Sequence, residues 1–292
     1  MTSLNDHAAW ACPHCRETLT LNGDTWVCSN NHPFDRAKEG YVNLLPANFK
    51  RSKIPGDSPE MIAARRRMHD AAIYAPLAEE LCATVAKLCQ LGSSTDSLVG
   101  SLLDLGCGEG YYDALLTQHI PGLQLMGIDI AKSAVRMAAK RNHSHQYAVA
   151  SSNHLPVVSN SIDIVLRIFA PSNDAEVWRV LKHGGYYIEV GPAPRHLWEL
   201  REALYDTPRP HAESRTSIDV VTDDHTTSFA LVATETCHHQ QTLGNALLND
   251  LLMATPFAYR GHREKREALR ERDNLAVSMA FQWRVFQRPF GA

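Results

Sequence analysis

The sequence predicts an α/β fold: a mostly parallel sheet with helices on both faces, carrying a small metal-bound module at its front. Three observations support this. From Leu102 onward, short apolar strands alternate with segments of helical periodicity. The first strand runs into an acid-and-glycine loop, Asp104-Leu105-Gly106-Cys107-Gly108-Glu109-Gly110. Near the start, Cys12, Cys15, Cys28 and His32 form two close pairs separated by twelve residues.

The elements follow in order. Strand 102–105 precedes helix 111–118, strand 123–128 and helix 131–141. Strand 146–150 precedes a loop, strand 162–168 and helix 173–182. His183-Gly184-Gly185 reads as a turn before strand 186–190. Such alternation implies right-handed crossovers and a parallel sheet. Residues 195–205 read as helix and 227–236 and 277–287 as strands, with helices at 243–253 and 261–272 between those strands. Upstream, 61–91 has helical periodicity, and Pro76 should break or restart it. Residues 46–60, with Pro46, Pro55 and Pro59, and residues 92–101, rich in Gly and Ser, read as connections. The expected division is a zinc-binding module at 1–45, a linker and helical segment at 46–100, and the larger domain at 101–292.

Composition narrows the class. With 292 residues, 44% apolar and 21% charged, the chain has the make-up of an ordinary globular protein. No apolar run reaches the roughly 18 residues of a membrane span, and no basic-then-apolar signal opens the sequence. Seven cysteines, an odd number, argue against a disulfide framework and for a reducing compartment. The expectation is a cytoplasmic protein with no membrane partner. Residues 36–67 hold eight Lys or Arg against three Asp or Glu, a local excess of +5 that leaves the rest near -8 in a chain of net -3.

The glycine loop points to a cofactor. Three glycines let the backbone turn sharply and approach a ligand without Cβ contact. Dinucleotide loops space their glycines G-x-G-x-x-G and seat a pyrophosphate. Here the spacing is G-x-G-x-G, with Asp104 two residues ahead. That resembles the loop of class I S-adenosylmethionine (SAM) methyltransferases, whose cofactor carries an ammonium and a sulfonium. Residues 123–130 form a second apolar strand ending in Asp129, where a carboxylate can accept both ribose hydroxyls.

The Cys-x-x-Cys and Cys-x-x-x-His pairs suit a tetrahedral Zn²⁺ site held by Cys12, Cys15, Cys28 and His32. Three thiolates and an imidazole leave no open position, so the role is structural. A module of about 40 residues needs such a staple. His14 should be exposed, and Cys82, Cys89 and Cys237 should be buried small hydrophobes.

Periodicity does not explain Asn31-His32-Pro33-Phe34-Asp35-Arg36-Ala37-Lys38-Glu39-Gly40-Tyr41-Val42-Asn43-Leu44-Leu45. This string resembles the signature of the RlmA family, bacterial methyltransferases acting on N1 of a guanine in 23S ribosomal RNA. The resemblance continues through Pro55-Gly56-Asp57-Ser58, Arg65-Arg66, Ala150-Ser151-Ser152, Arg167-Ile168-Phe169-Ala170-Pro171, Gly191-Pro192, Arg195-His196-Leu197 and Thr255-Pro256-Phe257-Ala258-Tyr259-Arg260. It implies a Rossmann-like class I SAM-methyltransferase domain behind an N-terminal zinc-ribbon module, with 23S ribosomal RNA as partner. It also implies that Gly106, Gly108, Gly110 and Asp129 hold SAM and that Tyr74 and His196 touch it. Asp104, Cys107, Tyr111 and Tyr112, in or beside the loop, complete the expected cofactor set. Two departures stand out: His183 replaces the usual proline before Gly-Gly, and Glu189 lies in a strand, where an exposed face would suit it.

Guanine N1 carries a proton and is a poor nucleophile until that proton leaves. The base must leave its stack and meet the methyl in line. The loop Phe169-Ala170-Pro171-Ser172-Asn173 is the expected pocket, with Phe169 either stacking on the base or filling the core. No general base is identified: Asp163 lies at the wrong end of its strand, and Glu199 reads as a solvated helix residue. The catalytic residues are unassigned. Lys50, Arg51, Lys53, Arg65, Arg66 and Arg67 are expected to meet RNA phosphates. Residues 260–272, with Glu264, Glu267 and Glu271, read as a solvated helix. A homodimer is compatible with the sequence. Two competing readings are a small-molecule SAM methyltransferase and a non-catalytic zinc-dependent RNA-binding protein.

Overall fold

The computed structural model describes residues 9–47, 56–92, 100–221 and 226–290. The N-terminal module is a three-stranded antiparallel sheet, β1 (Thr20–Asn22), β2 (Thr25–Val27) and β3 (Pro33–Asp35). The chain then supplies β4 (Val42–Asn43), α1 (Pro59–Asp70) and α2 (Ala75–Gly92). The alternating region holds β5 (Ser101–Leu105), α3 (Tyr111–His119), β6 (Gln124–Asp129), α4 (Lys132–Arg141), β7 (Gln146–Val149), β8 (Ile162–Ile168), α5 (Asp174–Val180) and β9 (Leu181–Pro192). The remainder is α6 (Trp198–Leu204), β10 (Ile218–Val221), β11 (Thr226–Gly244), α7 (Asn245–Ala254), α8 (Arg263–Arg270) and β12 (Asn274–Gln287).

These strands form a nine-stranded sheet in the order β10-β11-β12-β9-β8-β5-β6-β7-β4. From β9 to β4 all pairings are parallel; β12, β11 and β10 add an antiparallel extension. β5, between β8 and β6, is buried throughout. Its alternation divides the core: Leu102 packs into one layer, Leu103 and Leu105 into the other. Parallel strands covered on both faces read as continuous apolar runs, which is why β5, β6 and β8 were legible in sequence.

Several boundaries differ from expectation. The helical stretch 61–91 breaks at Ala72, which sits at φ +57°, and restarts at Ala75 and Pro76, as the restart reading has it. Pro76 falls in the first turn of α2, where its missing N–H is not needed. β11 is nineteen residues long, well beyond the expected strand, whereas β12, fourteen residues long, starts only three residues earlier than expected. α5 stops at Val180, and Gly184-Gly185 falls inside β9, Gly184 at φ +78°. Glu189 is not exposed: it is clamped between Arg167 and Arg215, the latter at 2.8 Å.

The N-terminal module is seated on the large sheet. β4 pairs in parallel with β7, Val42 opposite Ala148, and closes that edge with the buried side chains Val42 and Leu44. Trp10, 1% exposed, bridges Val157, and Ala11 N donates to Pro156 O at 2.9 Å. Arg16 Nη1 donates to Leu155 O at 2.8 Å, and its Nη2 lies 2.8 Å from His154 Nδ1.

Candidate cofactor and substrate site

At the C-terminal end of β5 the backbone turns at Gly106 (φ +81°), Gly108 (φ +56°) and Gly110 (φ +77°). A Cβ on Gly106 would lie 2.5 Å from Ala170 Cβ, so glycine here satisfies both conformation and space. Gly106 N and Cys107 N both donate to Ile128 O, tying the loop to β6. At the end of β6, Asp129 Oδ2 accepts from Gly108 N at 3.1 Å and Oδ1 from Ala131 N at 2.7 Å. One carboxylate thus fixes the loop and the start of α4. Each of its oxygens has lone-pair capacity left for a hydroxyl.

Above these strand ends lies a cavity of about 720 Å³, within the size range of small-molecule sites. It brings together Tyr74, Asp104, Gly106, Cys107, Gly108, Tyr111, Tyr112, Asp129 and His196. Gly110 is the expected member that does not line it; it turns toward α4, where a Cβ would meet Asn142 Nδ2 at 2.9 Å. Burial holds the Tyr74 phenol up at about 12 and raises the thiol of Cys107. Burial, and then Asp113, push the Asp104 carboxyl well above the carboxylate range. The two carboxyls of Asp104 and Asp113 share a hydrogen bond. Burial raises Asp113 to about 6, and Asp113 accepts from Tyr147 OH at 2.9 Å. Asp104 is thus hydrogen-bonded to Asp113 beneath the loop, and the acceptor capacity left on Asp129 fits a ligand with a diol.

Sequence reasoning missed the opposite wall. His69 is 7% exposed; its Nδ1 lies 2.7 Å from Glu109 Oε1, and its ring stacks on Tyr111 at 4.1 Å. Arg141 lies 2.8 Å from the other oxygen of Glu109. Glu109 sits inside the glycine motif and was open to inspection; His69 joins it only through the packing of α1 on the loop.

The far half of the cavity is built by the loop after β8, the start of α6 and the segment after α7. Phe169 is 48% exposed at φ +54°, its ring 6.4 Å from that of His196. The alternative of a core phenylalanine is set aside by that exposure. His196 Nδ1 accepts from Ala280 N at 3.2 Å, so the proton of the neutral ring sits on Nε2. Burial, then His211, depress His196 to about 3. Arg201, one turn along α6, lies over Phe257 at 5.5 Å and beside His211. Glu199 is not a solvated residue: it accepts from Ser278 N and Oγ at 2.7 and 2.6 Å. Asp163 accepts from Ser101 N at 2.8 Å at the other end of the sheet.

The metal-ligand residues converge. The ligand atoms of Cys12, Cys15, Cys28 and His32 all lie within 4.8 Å of one another. Cys15 Sγ and Cys28 Sγ are 3.7 Å apart; His32 Nδ1 is 3.5 and 3.4 Å from the sulfurs of Cys12 and Cys28. A tetrahedron with standard Zn–S and Zn–N bonds has edges of about 3.8 Å between sulfurs and about 3.6 Å from sulfur to nitrogen. The cluster therefore fits Zn²⁺. Arg16 and Asn31, at φ +64° and +59°, close the two cysteine turns through Cys12 O and Cys28 O. The Asn30 side chain, first among its neighbours, lowers the Cys15 thiol to about 6. His14 is exposed and Cys82 and Cys89 are buried, as expected, whereas Cys237 is half-buried.

The basic run divides. Lys50, Arg51 and Lys53 lie outside the described residues. Arg67 forks onto Asp250, with Nε 2.8 Å from Oδ2. Arg65 pairs with Asp57 at 2.7 Å and lines the cavity. Both arginines also pair within the protein, in one case with an acid 183 residues away. Arg66, 3.5 Å from exposed Asp70, remains available.

A Rossmann-like sheet with this cavity, preceded by a zinc-ribbon module, defines a SAM-dependent methyltransferase. The family described as "RlmA, N-terminal" matches residues 10–53, and the "Methyltransferase domain" family matches residues 103–188. The chain belongs to the RlmA family of methyltransferases. It is 35% identical over 194 residues, 66% of either chain, to the 23S rRNA (guanine(748)-N(1))-methyltransferase of Streptomyces fradiae. It is 29% identical over 283 residues, 94% of this chain and 95% of the relative, to the "Putative 23S rRNA (guanine-N(1)-)-methyltransferase YxjB" of Bacillus subtilis. Among the described residues, no helix is long and apolar enough to cross a membrane.

Proposed function

We propose that this chain transfers the methyl group of SAM to N1 of a guanine in 23S ribosomal RNA, in the cytoplasm. The observation that carries the reading is one cavity joining the glycine loop and Asp129 to an aromatic and cationic half built by Phe169, Arg201, Phe257 and Tyr259. The names of the Streptomyces and Bacillus relatives support the substrate. Bound SAM supplies an activated methyl on a sulfonium. In this reading Asp129 accepts the ribose hydroxyls, Asp104 supports the glycine loop from beneath the cofactor, and Tyr74, Tyr111, Tyr112 and His196 enclose the rest. Gly106, Cys107 and Gly108 let the backbone approach, and Gly110 sets the start of α3. Phe169 and Tyr259, 48% and 74% exposed, offer ring faces to a base taken out of its stack. The zinc site fixes the module that brings RNA to the cavity mouth. The test is methyl transfer from labelled SAM to deproteinised large-subunit RNA against small-molecule extracts. Label in RNA is expected; label confined to small molecules would favour the other enzyme class, and SAM binding without turnover a binding protein.

A further inference from the structure

Within the proposed reaction the N1 proton must leave, and the cavity is poor in places for it to go. Among the described residues, four carboxyl groups line the cavity: Asp57, Asp104, Glu109 and Asp129. All stand on the cofactor side. Asp104 is buried beneath the loop, Glu109 is held by His69 and Arg141, and Asp129 is held by two backbone amides. Asp57 pairs with Arg65 and follows Gly56, which abuts Ile130 and Ala131 just beyond Asp129.

The substrate half offers two histidines, and each has its basic lone pair engaged. Ala280 N–H donates to Nδ1 of His196. Arg201 Nη2 reaches both ring nitrogens of His211, at 3.1 and 2.8 Å. A guanidinium has donors only, so it meets the lone pair of His211 whichever nitrogen carries it. Neither ring is free to accept a proton. What this half presents instead is an Nε2–H on His196 and a guanidinium charge fixed by Arg209 O and His211. The titratable or charged groups facing Arg201 are His211, Tyr205 and Arg260; those facing His196 are His211, Arg201 and His239. None of them is a carboxylate.

We propose that none of the described side chains at the site acts as a general base and that the site instead binds the guanine as its N1-deprotonated anion, with His196 Nε2–H and the Arg201 charge stabilising the negative charge shared by N1 and O6. This rests on the guanine-N1 reading above. The N1 proton goes to solvent. The N1 electron pair forms the bond to the methyl carbon, the methyl–sulfur bond breaks, and its pair stays on sulfur. His196 is the catalytic donor; Arg201, whose terminal nitrogens are occupied within the protein, is a positioning and electrostatic residue.

The experiment is the pH dependence of single-turnover methylation of large-subunit RNA, with 1-methylguanosine quantified. In the wild type, log rate should climb with unit slope and without a histidine break between about pH 5.5 and 7.5. Arg201→Gln should move the curve up by about one pH unit, a roughly tenfold loss near neutral pH, with KM for RNA changed less than about threefold. Arg201→Lys, which keeps the charge, should recover most of that loss. A break near pH 6–7 that vanishes in His196→Gln or His211→Gln would overturn the proposal, as would an unshifted profile in folded Arg201→Gln. If Arg201→Gln does not fold, ¹⁵N spectra of N1-labelled RNA bound to the wild-type protein decide. N1 deprotonating at lower pH than in free RNA supports the proposal, and an unchanged N1 overturns it. Methylation without 1-methylguanosine would overturn the substrate reading itself, whereas a histidine-limited profile with 1-methylguanosine overturns only this inference.

Discussion

Asp129→Asn separates the two tasks of one carboxylate. In the folded chain its oxygens accept from Ala131 N at 2.7 Å and Gly108 N at 3.1 Å. The amide can keep its oxygen on Ala131 N, the shorter bond, and then faces Gly108 N–H with a donor. The loop loses one anchor, at about 1 kcal/mol of stability. A ribose hydroxyl loses a charged acceptor, worth roughly 1.5–3 kcal/mol. That corresponds to about a tenfold to 150-fold weaker Kd for SAM. The zinc cluster lies in the other module, so zinc content should be unchanged. Calorimetric titration of SAM into zinc-loaded protein measures the effect. A Kd within twofold of wild type, in a variant that melts only slightly lower, would refute the ribose assignment and leave Asp129 as a structural cap.

Three further outcomes follow from the same geometry. Arg16 ties the zinc turn to Leu155 O and His154, just beyond the cavity-lining Ser151–Asn153, so Arg16→Ala should weaken SAM binding about threefold to tenfold with one zinc retained; equal affinity by calorimetry would mean the module does not support the cofactor site. Arg66→Ala should change stability by less than about 0.5 kcal/mol, since both it and Asp70 are exposed, whereas Arg67→Ala should cost about 1 kcal/mol by leaving the largely buried Asp250 unpaired; urea midpoints for the two variants should therefore differ, and equal midpoints would count against that pairing. His196 stays neutral down to about pH 3 when folded but takes a proton near its ordinary 6.5 when unfolded, so stability should be flat from this source above pH 6.5 and fall below it, by about 2 kcal/mol at pH 5; His196→Gln should lose less between pH 7 and 5, and an identical loss would show the ring is not buried neutral.

The parts legible in the sequence were those set by local chemistry. Apolar β5 and β6 carry an acid at or next to their last residue, and Gly106, Gly108 and Gly110 all adopt the positive φ that such a loop demands. The four zinc ligands were readable because two tight turns fix their spacing. What was not legible depends on distant partners. β11 continues through His238-His239-Gln240-Gln241, polar residues that hold a strand only because β12 pairs alongside as far as Gly244. β4 belongs by sequence to the zinc module and by hydrogen bonding to the edge of the large sheet. The run of arginines in α1 gives no sign in sequence that Asp57 and Asp250 pair with two of them. His69 and His211 gained a place at the cavity only through tertiary packing, and single-residue patterns carry no trace of that.

Mass mapping of modified nucleosides in 23S ribosomal RNA, from cells with and without the gene, tests the central claim most directly. One guanine should carry a methyl on N1 in the parent and none in the deletion, and the purified protein with SAM should restore it on the unmodified RNA. An unchanged 1-methylguanosine map, or restoration at another atom or base, would contradict the account.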